Sequence, residues 1–308
     1  MITNAQAEQT VLTNNGGQII IVDQNGEGDY RTIQDAVNNA QIGSTVYVKK
    51  GEYVEIIDIK KRINLVGEDK DSTLINPISE KNKYAICLGA PGVTISHLSI
   101  KNGAPGLYSS GVRITSSGTE IRDCNIYDTP VGIVIWTSNN IVDNCNFWGC
   151  KDEGIALIGT EYSDCNNNEI TNCVFRENCD GIELQYSSNN IITNCDFYDN
   201  THTGIDAIAS SNNENIISKC RIYNNEVHGI YLSSSSENQI EDCFIYDNDD
   251  GNIVLNECPD DNHMTSNFDS SSEGGRLTIR DLFHYFLSRS SRLNVRGLVS
   301  ILRSLIAF

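Results

Sequence analysis

The chain has 308 residues and a net charge of −19, with 39% hydrophobic but only 7% aromatic residues. The charge is uneven: residues 275–308 carry six Arg against one Asp, which leaves the remaining body near −24. So acidic a body repels nucleic acid and anionic membranes, and no apolar window reaches the roughly 18 residues of a membrane span. Nucleic acid is excluded as a partner of the body, and the sequence carries no transmembrane segment.

Residues 1–17 read as a flexible leader without the basic and apolar regions of a signal peptide. The expected location is nevertheless secreted or cell surface, with any export signal already removed. Residues 18–60 are expected to form an N-terminal cap and first coil. A strand at 19–22 leads through a Gly-rich turn at 25–28 into an amphipathic stretch at 32–40, where Ile33, Ala36 and Val37 share one side. That spacing predicts a short helix, placed as the cap that seals the first rung from water. Strands are expected next at 45–48, 56–59, 63–66 and 73–75.

Residues 61–268 carry a repeat. A hydrophobic-x-x-Cys-x-[Ile/Phe] run recurs at Cys124, Cys145, Cys173, Cys195, Cys220 and Cys243, with intervals of 21, 28, 22, 25 and 23 residues. A Gly-[Ile/Val]-x-apolar run recurs at Gly111, Gly132, Gly154, Gly181, Gly204 and Gly229. So short a period, with in–out alternation inside each unit, predicts a solenoid of parallel strands. The expected fold is all-β, a single right-handed parallel β-helix of some nine or ten rungs about 4.8 Å apart. The six cysteines occupy one repeated apolar slot and are expected as buried, reduced thiols. Two asparagine series, Asn140, Asn168, Asn190, Asn215, Asn238 and Asn178, Asn200, Asn225, Asn248, are expected to stack as amide ladders at the corners. Residues 269–308 read as a linker and a basic, helix-compatible amphipathic tail, with Arg276–Leu282 echoed by 292–298; it is expected to cap the rod or dock on an acidic partner.

Alternation assigns the outward positions. One outward column holds Tyr127, Trp148, Arg176, Tyr198, Tyr223 and Tyr246. Flat rings along a rod suit stacking on the apolar faces of sugars, so Tyr127, Trp148, Tyr198, Tyr223 and Tyr246 are candidate glycan-binding residues. The glycine strand supplies a second face. Its position before the glycine holds Glu153, Asp180, Thr203 and His228, and the second position after it holds Glu183, Asp206 and Tyr231. Carboxylates on adjacent rungs cannot both stay ionised cheaply, so either they share a proton or a cation sits between them. Asp180, Glu183, Asp206 and His228 are therefore candidate catalytic residues, and Glu183 with Asp206 a candidate calcium site.

The repeats resemble those of NosD-type and related surface proteins, widespread in methanogenic archaea and some bacteria, in a superfamily of carbohydrate-binding proteins and sugar hydrolases. The segment 22–37, with Gly51-Glu52-Tyr53-Val54-Glu55, resembles the opening of pectin methylesterases, but the catalytic Gln and Asp motifs of the esterases do not follow. Asn178-Cys179-Asp180-Gly181-Ile182-Glu183 resembles the Asn-Thr-Asp motif of polygalacturonases, and Val227-His228-Gly229-Ile230 their Gly-His-Gly. The paired aspartates of those enzymes have no clean match here, with His202 and Asp206 standing nearby instead, and their Arg-x-Lys is missing. These resemblances imply a surface protein that binds extended polysaccharide or glycan through the aromatic stripe. The alternatives are a lyase or hydrolase acting on uronate polymers, and a NosD-like accessory factor.

Overall fold

A computed structural model describes residues 17–78, 83–106, 109–163, 165–208 and 212–269. The chain divides into two units, 1–269 and 270–308. The second unit, which holds the basic tail, and the leader up to residue 16 lie outside the described residues.

The first unit is a parallel β-solenoid whose strands form three sheets of 11, 10 and 9 strands. One coil illustrates them all. Ile191–Thr193 belongs to the first sheet, Asp196–Tyr198 to the second and Ile205–Ala207 to the third. The next coil repeats the order with Ile216–Ser218, Arg221–Tyr223 and His228–Ser233. Every named strand pairs in parallel with its equivalent one coil away, so residues 22 to 25 positions apart become vertical neighbours.

The cysteine run is two short strands joined by a bend. Residue 194 between them has φ 55°, and Asp123, Asn144, Asn172, Lys219 and Asp242 take the same left-handed conformation one residue before each cysteine. The odd interval from Ile192 to Cys195 requires this: both side chains point inward, which an unbroken strand cannot arrange. Similar residues mark the other two corners, among them Glu177, Asp199 and Asn224 at one and Asn167, Asn189 and Glu214 at the other. Asn and Asp tolerate that conformation better than other residues, which accounts for much of the chain's richness in them.

Each bend is followed by an inward residue that stacks on its equivalent, giving three internal files. The cysteines form the first, all six at most 1% exposed, and all eleven cysteines of the chain are free thiols. Their Sγ atoms bond backbone carbonyls, as Cys195 does with Thr193 at 3.3 Å. Both asparagine series form the expected ladders. Asn168 donates to Asn190 Oδ1 at 3.1 Å, Asn190 to Asn215 at 3.0 Å, Asn178 to Asn200 at 3.2 Å and Asn200 to Asn225 at 2.8 Å. Each Oδ1 also accepts a backbone N–H, as those of Asn190 and Asn200 do, so the ladder amides are paired inside the coil. Between the files lies an apolar core in which Phe147, Phe175 and Phe197 stack at 4.8 and 4.7 Å. The repeated glycine lets the coils close over these rings. A Cβ at Gly181 would stand 2.4 Å from the Gly204 carbonyl oxygen and 2.5 Å from Phe197.

The predicted helix forms at Ile33–Asn39, with Thr32 as its N-cap and Ile33, Ala36 and Val37 buried. It packs against strands Ile19–Val22, Thr45–Val48 and Ile57–Ile59, the last being the first strand of the third sheet. Glu55 accepts both free N–H groups of its first turn, those of Ile33 and Gln34, at 2.8 Å each.

Candidate functional site

The register of the third sheet stacks Ala156, Glu183, Asp206 and Tyr231 in one outward column. A parallel column one step earlier pairs Glu153 with Asp180, with Thr203 and His228 on the two coils that follow. Glu183 and Asp206 are thus direct neighbours, as the repeat spacing predicted. Although these positions face outward, Glu153, Asp180 and Asp206 are only 5–6% exposed.

His202, in the turn before Asp206, draws two of the carboxyls together. Its Nδ1 lies 2.7 Å from Asp180 Oδ1 and 4.0 Å from Asp206 Oδ2. Asp180 Oδ1 also accepts the Thr203 N–H at 2.7 Å. The His202 backbone is held in turn by an N–H bond to the Cys179 carbonyl at 2.9 Å. Among the described residues, Asp180, His202 and Asp206 are the group whose potential ligand atoms converge, all within 4.8 Å. Glu183 adjoins this group without belonging to it.

The electrostatics follow from burial. Burial pushes the Asp206 carboxyl up to about 7, and the nearby Asp180 adds to the push. Burial likewise pushes Glu153 up to about 9, helped by the adjacent Glu183 carboxylate, with which it shares a hydrogen bond. Glu183 is raised by burial too, although the bond from Glu153 pulls back. His228 is lowered by its burial and by the neighbouring His202, and its ring meets Tyr231 edge-on at 5.2 Å. At neutral pH the face therefore holds proton-bearing carboxyls beside a neutral His228, the arrangement that acid–base chemistry requires.

Toward the N-terminal coils the same sheet turns apolar, with Val131, Val134 and Ala156 packed under Trp136 and Ile158. The Arg113 guanidinium stands over the Trp136 and Tyr84 rings at 5.1 and 4.8 Å. A shallow groove lined by Glu214, Glu237, Asp261 and His263 lies on the outer side of the first sheet, away from these residues.

The second sheet carries the aromatic column in the expected order. Tyr127 stacks on Trp148 at 4.4 Å, Tyr198 on Tyr223 at 5.2 Å and Tyr223 on Tyr246 at 5.0 Å, all within 7° of parallel. Arg176 lies 5.2 Å over Trp148. The ring faces are turned to one another along the axis, so the column presents edges and phenol groups to solvent.

Asp180, Glu183, Asp206 and His228, the candidates of the repeat pattern, all lie on the acidic face of the third sheet. His202 joins them from a turn, which has no position in the alternation. Glu153 was legible only as a column member; its proton affinity comes from burial that patterning does not show.

The sequence profile described as right handed beta helix region matches residues 63–214 and 158–280, and that of pectinesterase matches 19–95. The pectinesterase/pectinesterase inhibitor 18 of Arabidopsis thaliana is 30% identical over 123 residues, covering 35% of this chain and 22% of the relative. The chain spans about a quarter of the length of the curated relatives it matches, 22% and 27%. Among solved structures, a rhamnogalacturonan lyase aligns with TM-score 0.64 at 12% identity, over 85% of this chain and 90% of the other. Pectate lyase Pel9A aligns at 0.59 and 13% identity, over 86% and 83%. These structures share the fold, and the first profile spans more than half of the sequence. The chain belongs to the right-handed β-helix region family.

Proposed function

We propose that the acidic face of the third sheet cleaves glycosidic bonds in a uronate-containing polysaccharide, at the cell surface or outside the cell. The observation that carries this reading is the meeting of Glu153 and Glu183 with Asp180, His202 and Asp206 on three adjacent coils. Glycoside hydrolysis needs one carboxyl that delivers a proton and a second group that activates water or attacks. Glu183 is half-buried and reachable, and Glu153 behind it keeps a proton at neutral pH, so this pair is the acid. Asp180, oriented by Thr203 and His202, lies with Asp206 on the water-activating side. His228 and Tyr231 form the rim that positions sugar hydroxyls. The names of the aligned structures, rhamnogalacturonan lyase and pectate lyase, support a pectin-like substrate.

Glycan binding on the aromatic column is the second reading. Its support is an outward ridge of Tyr, Trp and Arg over six coils. Because the rings face one another, such binding would use phenol hydroxyls and ring edges rather than flat stacking. A copper-handling role of the NosD kind has less support, since the converging group is oxygen-rich and holds a single imidazole.

Incubation with polygalacturonate, rhamnogalacturonan and neutral glycans tests the lead. The expected result is new reducing ends without unsaturated products, lost in Glu183→Gln and in Asp206→Asn. Retention of a glycan without any product would favour the second reading.

A further inference from the structure

We infer that Asp180, His202 and Asp206 form a binding site for a first-row divalent transition ion of the zinc or manganese class. The inference shares Asp180 and Asp206 with the proposed cleavage site, but it concerns ion binding alone and does not rest on cleavage.

Two carboxylates, each only 5% exposed, share this small volume with one imidazole. Taking two like charges out of water is costly unless a cation, a proton or hydrogen-bond donors compensate. Asp180 Oδ1 accepts the Thr203 N–H at 2.7 Å and pairs with His202 Nδ1, also at 2.7 Å. Asp206 Oδ1 is buried and has no hydrogen-bond partner, while Oδ2 of the same carboxyl stands 4.0 Å from His202 Nδ1. A carboxyl 93% buried, with one oxygen unpartnered and the other 4.0 Å from the imidazole of the Asp180–His202 pair, is an arrangement that a cation would complete.

The geometry fits a small ion. Metal–ligand bonds of about 2.1 Å place donor atoms roughly 3.4 Å apart around a tetrahedral centre. The three atoms here lie within 4.8 Å; His202 Nδ1 and Asp180 Oδ1, now hydrogen-bonded at 2.7 Å, must part slightly to admit the ion, and the half-exposed His202 ring is the part able to move. Asp180 opens strand Asp180–Gln185 and Asp206 sits inside Ile205–Ala207, so two of the ligands ride on paired backbone. Thr203 holds Asp180 from the backbone in the way supporting hydrogen bonds orient metal ligands. The exposed side of His202 leaves an open coordination position for water. An imidazole among the donors selects for zinc or manganese over calcium, which prefers six to eight oxygens. The ion thus takes Asp180, His202 and Asp206, whereas the calcium site expected from the sequence paired Asp206 with Glu183.

Calorimetric titration of the chelator-treated full chain with Mn2+, Zn2+ and Ca2+ decides the matter, with Mn2+ binding also read by loss of its free-ion electron paramagnetic resonance signal. One Mn2+ or Zn2+ per chain is expected, with Ca2+ binding far weaker. His202→Gln, a half-exposed position that should fold normally, is expected to weaken binding by at least about 100-fold, while Cys179→Ser and Glu183→Gln keep the site. Binding absent in the wild type, unaffected by His202→Gln, abolished by Glu183→Gln, or tightest for Ca2+ would overturn the inference. The titration needs no glycan. An ion bound without cleavage would remove the catalytic reading alone, and cleavage with no ion bound would remove this inference alone.

Discussion

His202 Nδ1 lies 2.7 Å from Oδ1 of Asp180, a residue 22 positions earlier in the chain and one coil away in space. The solenoid register that brings them together also brings Glu183 beside Asp206, so one stacking rule builds the whole acidic face. Asp180→Asn removes the charge that orients His202 while leaving Thr203 an acceptor. Glycan cleavage should fall by about 100-fold or more with the melting temperature little changed, measured as reducing ends released. Undiminished cleavage would remove Asp180 from the machinery.

Glu153 provides a pH signature. Burial lifts its carboxyl from 4.5 to about 9, so the native state binds this proton more tightly than the unfolded chain does. The resulting stabilisation is complete below about pH 4.5 and is lost as pH rises through about 9. Glu153→Gln has no such proton to lose. Melting curves in chelator should show the variant gaining on the wild type by roughly 5 °C or more between pH 6 and pH 9. A gap that does not change with pH would contradict the account.

The asparagine ladder should be costly to break at its middle. Asn190 is fully buried; its Oδ1 accepts from both the Asn168 N–H and the Asn168 amide. Asn190→Ala strands both donors in the interior, at about 2–4 kcal/mol in denaturant unfolding. A loss below about 1 kcal/mol would mean that water repairs the gap.

Gly181 tests the closeness of the coils. An added methyl would stand 2.4 Å from the Gly204 carbonyl oxygen, a backbone atom with little room to move. Gly181→Ala should prevent cooperative folding or lower the melting temperature by more than 10 °C, on the order of 3 kcal/mol or more. A normally folded variant would show that the coils can separate.

The aromatic column separates structure from binding. Tyr223 is stacked on both sides, at 5.2 Å by Tyr198 and at 5.0 Å by Tyr246. Tyr223→Ala should cost about 1–3 kcal/mol from these lost contacts and leave glycan cleavage unchanged. Lost glycan retention in a stable variant would instead support the ridge as a binding surface.

Much of this was legible in the sequence because the fold turns distance along the chain into height along an axis. The intervals between Cys173, Cys195 and Cys220 already imply that Glu183 lies over Asp206, and the register places them so. The helix was readable from Ile33, Ala36 and Val37, and both asparagine ladders from their spacing. The break before each cysteine was hidden, because a left-handed Asn194 or Lys219 leaves no mark in hydrophobic patterning. The stacking of the tyrosines on one another was hidden too, since alternation gives the side of a sheet but not the tilt of a ring. His202 was missed as a partner of Asp180 because turns, unlike strands, do not repeat with fixed phase.

The central claim is that sugar is processed on the third sheet. A structure of Glu183→Gln with a bound oligogalacturonate tests it most directly. The account predicts a sugar ring over Glu183 and Asp206, with His228 and Tyr231 at its edge. Sugar found instead along Tyr198, Tyr223 and Tyr246, or in the groove beside Glu214 and Glu237, would contradict it.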